Sequence, residues 1–163
     1  MFALIEDTRQ QKGKHELKHA FWAENGCSIY RSKVIVGDYC TPPAVAIDTK
    51  ESMQEIAQNI GGGKAEHQRF INELKLAQRL GTKLYILVEN IEGVRSISDV
   101  PRWINPRLEY SPQAIQGPRL AKAMTTIADR YGCTFLFCRP QEAAQIITKL
   151  LQTQWATEQH SSQ

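Results

Sequence analysis

Lys83 to Val88 reads KLYILV, an almost unbroken apolar run behind one lysine. Such a run is expected of a strand covered on both faces, and it sets a layered α/β reading for the chain. Working back from it, Lys64 to Leu80 places Phe70, Ile71, Leu74 and Ala77 on one helical face and stops at Gly81. Glu51 to Ile60 reads as a shorter helix, broken by Gly61-Gly62-Gly63. Ala44 to Lys50 reads as a strand after the Pro42-Pro43 turn, forming a hairpin with a preceding strand over Cys27 to Val36. A polar helix from about Gln10 to Asn25 and a first strand, Ala3 to Glu6, complete the N-terminal half. Beyond Val88 come a loop-rich stretch to Gly117, a helix Pro118 to Tyr131, a strand Thr134 to Cys138 and a helix Pro140 to Trp155. The order β-α-β-β-α-α-β-loop-α-β-α implies α/β architecture: a mixed central sheet flanked by helices. Residues 1–155 form a single domain, and 156–163 read as a polar, disordered tail.

Composition removes several function classes. The 163 residues are 42% hydrophobic and 23% charged, the balance of a folded globular chain. No apolar run approaches the roughly 20 residues that span a bilayer, and the opening MFALIEDTR does not read as a secretory signal. Cys27, Cys40, Cys133 and Cys138 lack zinc-ligand spacing and fit reduced thiols in a cytoplasmic protein. A net charge of +3 permits a nucleic-acid partner without arguing for one.

Chemistry gathers in Asp7-Thr8-Arg9-Gln10, Gly37-Asp38-Tyr39 and Asp48-Thr49-Lys50. Side chains two apart on a strand share a face, so Asp48 and Lys50 point one way and Thr49 the other. A hairpin returns Asp38 to the side of Asp48. Two carboxylates and an ammonium on one sheet edge suit phosphodiester hydrolysis with Mg²⁺ or Mn²⁺, which take hard oxygen ligands and keep waters. A bound metal acidifies water, and a lysine can orient it and stabilise the charge that builds on phosphorus. By spacing alone the same residues also fit an ordinary solvated face.

The series IEDTRQ (5–10), VGDY (36–39), VAIDTK (45–50), the EHQRF helix and the KLYILVE strand resembles the nuclease domain of XPF/Mus-type structure-specific endonucleases. It looks most like the small stand-alone members of bacteria, phages and other mobile elements. The resemblance implies a restriction-endonuclease-like PD-(D/E)xK fold that cuts branched, flapped or junction DNA with Mg²⁺ or Mn²⁺, in repair or recombination. Carried onto this chain, it makes Asp38 and Asp48 metal carboxylates, the Thr49 carbonyl a third ligand and Lys50 the catalytic lysine. Asp7 and Arg9 match the opening motif, and Glu55 lies one residue from the acid that follows the family's triplet. Gln10 stands where the family has glutamate, Asp48 where glutamate is commoner, and Thr49 where it has arginine. These departures motivate an alternative, a non-catalytic DNA-binding or scaffolding member of the same fold. The family often dimerises through an added helix-hairpin-helix domain; this sequence leaves no room for one, so a homodimer would use the nuclease fold itself.

A rival motif runs through His15-Glu16-Leu17-Lys18-His19, literally HExxH, the zinc-peptidase signature. Its lysine-rich setting and the want of a third ligand favour a basic helix facing solvent or DNA. Further cations complete the inventory. Arg69 on the Lys64 helix is read either as an i,i+4 partner of Glu73 or as a phosphate contact. Residues 101–131 hold Arg102, Arg107, Arg119, Lys122 and Arg130 against Glu109 and Asp129, interleaved with Trp103 and Tyr110. That mixture suits a DNA backbone or an unpaired base, and equally a solvated patch. His67 and His160 read as polar positions, and Trp155 with Ile147 and Leu151 as core or a dimer contact.

Overall fold

The computed structural model describes residues 2–11, 13–41 and 45–161. Six strands form one sheet: β1 (Phe2–Asp7), β2 (Cys27–Ser32), β3 (Tyr39–Thr41), β4 (Val45–Lys50), β5 (Lys83–Glu89) and β6 (Thr134–Cys138). Their spatial order is β2-β1-β3-β4-β5-β6. Only β3 runs antiparallel to its neighbours; β1–β2, β4–β5 and β5–β6 are parallel pairs. Helices α1 (Glu16–Glu24), α2 (Met53–Gly61), α3 (Lys64–Arg79), α4 (Gly117–Tyr131) and α5 (Ala143–Ser161) cover both faces. The α/β architecture expected from the pattern, a mixed central sheet flanked by helices, is present. None of the described helices is long and apolar enough to cross a membrane.

Strand alternation divides the core in two. Ala46, Leu84, Ile86, Val88, Phe135 and Phe137 pack under α2, α3 and α4. Val45, Ile47 and Leu87 face the other way, against Trp22 of α1 and Ile147 and Leu151 of α5. Each Val, Leu, Ile or Phe among them contributes about 1.5–3 kcal/mol when fully buried. Apolar residues on both faces of β5 are therefore the sequence's record of helices on both sides.

The hairpin differs from the sequence reading. The partner of β4 is the short β3, which the pattern did not reveal, and β2 instead lies parallel to β1 at the sheet edge. A three-residue strand is too short for period-two alternation to register. Gly37, at φ 76°, makes the entry turn, and a Cβ there would stand 2.8 Å from the Ile47 carbonyl oxygen. Only glycine meets both demands. The helix expected from Gln10 begins later, at Glu16, after a turn containing Gly13 at φ 84°. The Pro42-Pro43 turn and the side chains of Trp155 and His160 lie outside the described residues; α5 itself extends to Ser161.

Candidate active site

Asp38 sits where three strands meet. Its N–H donates to Ile47 O (2.7 Å), and its carbonyl accepts from Asp7 N (2.7 Å), so its backbone bridges the middle of β4 and the end of β1. Its carboxylate Oδ2 accepts from both the N–H (2.8 Å) and the hydroxyl (2.7 Å) of Thr49. Asp38 thus abuts the peptide that follows Asp48. Asp48 and Lys50 extend the Ala46 face of β4, under α3, and both are buried. Lys50 Nζ lies 2.8 Å from Asp48 Oδ2 and 5.6 Å from the centroid of the Phe70 ring on α3. The Lys50 ammonium is the one partner found for this buried Oδ2 among the described residues.

Asp7, 1% exposed at its side chain, accepts from the Arg9 N–H (2.7 Å) and Nε (2.9 Å) and from Val34 N (3.3 Å). Arg9 Nη2 also pairs with Asp7 and donates to Val34 O (2.9 Å), while the guanidinium stays 62% exposed. Burial alone would raise the Asp7 carboxyl, but the Arg9 hydrogen bonds and charge outweigh it and hold it below its ordinary range. Asp48 goes the other way. Burial raises it, Lys50 opposes, and the charges of Glu73 and Asp38 push it further up. For Lys50, burial alone would lower the ammonium, but the Asp48 charge outweighs it and the group is held above its ordinary value.

Glu73 is the site residue that the sequence reading misplaced. It makes no ion pair with Arg69; its Oε1 accepts from Gly37 N (2.9 Å), and its charge acts on Asp48, Lys50 and Arg9. The available signal was its place three residues after Phe70, at the margin of the buried Phe70–Leu74–Ala77 stripe. Glu55 belongs to the first turn of α2. Its N–H donates to the Ser52 hydroxyl (3.1 Å), its Oε2 accepts from Glu51 N (2.7 Å), and its charge reaches Lys50.

Asp7, Asp38, Asp48 and Glu73 outnumber Arg9 and Lys50 by two charges when all are ionised. Among the described residues, no group of three His, Cys, Asp or Glu side chains is placed to hold a metal ion. Structural zinc asks for four such ligands. Magnesium and manganese ask for less, one or two carboxylates with waters, and the oxygen chemistry of Asp38 and Asp48, close enough for the Asp38 charge to act on Asp48, fits that smaller demand.

Of the HExxH residues, His15 is buried while Glu16 and His19 are exposed. His15 is the N-cap residue of α1 and is buried; burial and the Lys18 charge lower its pKa. Lys18 forms a buried ion pair with Glu89. His19 Nε2 lies 2.7 Å from Glu6 Oε2, and Arg31 Nε 3.0 Å from Glu6 Oε1. The expected DNA-contacting cations divide. Arg69, Arg107, Arg119 and Lys122 line neighbouring cavities along α2, α3 and α4 that share lining residues. Arg102 does not join them: it pairs with Asp99 at 2.8 Å and borders a separate hollow with Trp103.

The architecture, a mixed six-stranded sheet flanked by helices, is the fold of solved XPF structures. The XPF protein of Aeropyrum pernix, in complex with DNA, superposes with a TM-score of 0.68 at 16% identity, over 96% of this chain and 66% of that one. A second structure of XPF from the same organism gives 0.66 at 17% identity, over 93% and 64%. The chain thus spans just under two thirds of the length of these XPF proteins. No family model matches it, and no curated protein does.

Proposed function

We propose that the protein is a divalent-metal-dependent endonuclease that hydrolyses phosphodiester bonds in branched, flapped or junction DNA. The observation that carries this reading is the Asp38–Thr49 lock, which holds one carboxylate against the peptide following another in a nuclease fold. Asp38 and Asp48 would hold Mg²⁺ or Mn²⁺, with the Thr49 carbonyl as a further ligand. When bound, the ion supplies an acidified water and neutralises charge on the phosphate. Its two positive charges also match the local excess of acid.

The chain's own groups supply the rest. Lys50, held by Asp48 and the Phe70 ring, keeps its proton and is placed to stabilise negative charge developing on the phosphate. The exposed Arg9 guanidinium, pinned through Asp7 and Val34 O, offers a phosphate contact at the site's edge. Glu73 holds the Gly37 N–H and so fixes the turn that delivers Asp38.

The test is a panel of flap, fork, Holliday-junction and single-stranded substrates with Mn²⁺. Cleavage of branched substrates, abolished by chelation, is expected. Tight binding without cleavage in either metal would favour the scaffolding reading, for which Thr49 in the arginine position is the supporting observation.

A further inference from the structure

Three neighbouring cavities, linked in series by shared lining residues, form a trough that starts beside the site. The first, about 410 Å³, lies between Ser52, Glu55 and Arg69, two to five residues beyond Lys50 in α2 and next to Phe70 in α3. It shares Gln58 and Arg107 with the second, about 210 Å³. That cavity shares Gly61 and Ile115 with the third, about 600 Å³, under α4. Buried Asn105 builds the junction, donating to Ile115 O (3.0 Å) and accepting from Arg107 N (3.1 Å).

The lining has two components. Arg69, Arg107, Arg119 and Lys122 have no carboxylate partner among the described residues, although such cations on a protein surface commonly pair. The trough's acids, Glu55 and Glu66, are each engaged by a hydrogen bond, from Glu51 N and from Gln58 Nε2 (2.7 Å each). The floor of the third cavity is apolar, with Ile60, Ile71, Ile115, Ile127 and Tyr131, and Arg130 sits 6.0 Å from the Tyr131 ring centroid. His67 faces this cavity with a buried, unpartnered Nδ1.

We propose that this trough is a track for a single DNA strand leading to or from the cut site, an inference that rests on the nuclease reading and specifies which part of the substrate lies where. Unpaired cations along a channel take phosphates, and an apolar floor with an aromatic ring takes base faces. A duplex keeps its base faces inside the stack, so the floor selects the unpaired strand. The third cavity falls in the range of pockets that bury small ligands, which suits one or two bases and not a helix.

The test measures binding without metal, so that cleavage plays no part. Fluorescence anisotropy of the full chain compares a single-stranded oligonucleotide with a blunt duplex of equal length, for wild type and for Arg119→Ala with Lys122→Ala. Both positions are exposed, and an unchanged melting temperature verifies the fold. The double variant is expected to bind the single strand about tenfold more weakly, with a salt slope shallower by about 1.4, two contacts at about 0.7 each. Duplex affinity should change less than twofold. Replacing the bases with abasic sites at constant charge should weaken wild-type binding about tenfold. Equal losses on single strand and duplex, or none on either, overturn the track. The two readings fail separately: a protein that shows this selectivity yet cuts nothing keeps the track and loses the nuclease. One that cuts forks while the double variant binds single strands like wild type keeps the nuclease and loses the track.

Discussion

Thr49 donates twice to a single oxygen of Asp38, through its N–H at 2.8 Å and its hydroxyl at 2.7 Å. One residue thereby couples two acids on different strands, since its N–H belongs to the peptide that follows Asp48. Asp48 and Thr49 point to opposite sheet faces, so one dipeptide serves the site with a carboxylate on one side and a clamp on the other. Thr49→Val keeps the shape and the N–H but removes the hydroxyl. It should cost about 1 kcal/mol in urea unfolding and slow single-turnover cleavage severalfold through a looser Asp38. Unchanged stability and rate would show that the N–H alone sets Asp38.

Arg9→Ala tests the second pinned carboxylate. Asp7 would keep the Arg9 N–H and Val34 N but lose the guanidinium. Because that guanidinium is largely exposed, about 1 kcal/mol is expected at neutral pH. Asp7's folded pKa lies below its ordinary value of 3.8, so its contribution is present above that value and fades as pH falls through the lowered one. The stability gap between Arg9→Ala and wild type should therefore close in strong acid. A gap independent of pH would contradict the pairing.

Asp48 gives the opposite sign. Its folded pKa is raised by burial, so the folded state binds the proton more tightly than the unfolded chain does. Metal-free protein should lose stability from this group as pH rises from the ordinary aspartate value of 3.8 into the neutral range. Asp48→Asn should flatten that slope in thermal unfolding between about pH 5 and about pH 8. Added Mg²⁺ should stabilise wild type more at the upper end and leave Asp48→Asn unmoved. Identical slopes would mean that Asp48 is already ionised and compensated.

Most of the sheet could be read in advance because its informative strands are long and two-sided. KLYILV has enough residues for its apolar run to declare cover on both faces, and Lys64–Arg79 enough turns for its stripe to emerge. β3 was hidden because three residues carry no period, and its existence depends on Gly37's turn and on ladders made by Asp38 with both neighbours. That Asp38 returns to the side of the Asp48–Thr49 peptide could be anticipated; Glu73 could not be placed, since helical spacing offers Arg69 as a partner while Gly37's N–H takes it in three dimensions. Arg102 shows the reverse error: a charge counted with its neighbours in sequence is held apart by Asp99.

The HExxH segment makes a further prediction. With His15 packed as a cap residue and His19 on Glu6, His15→Ala with His19→Ala should lower stability by about 1–3 kcal/mol. Metal analysis of the purified protein should show no change in zinc, and cleavage should stay within a few-fold. Loss of a stoichiometric zinc in the double variant would restore the peptidase reading.

The central claim is that Asp38 is a metal carboxylate of a nuclease site. Asp38→Asn preserves the shape and an oxygen for Thr49 to bond, while removing the charge. The decisive measurement is its single-turnover cleavage of a forked DNA at saturating protein with Mn²⁺, beside its affinity for the same DNA. A rate lower by about 10²–10³-fold or more, with affinity within a few-fold, is the result expected for lost metal chemistry with retained phosphate contacts. Cleavage at the wild-type rate by Asp38→Asn would contradict the account.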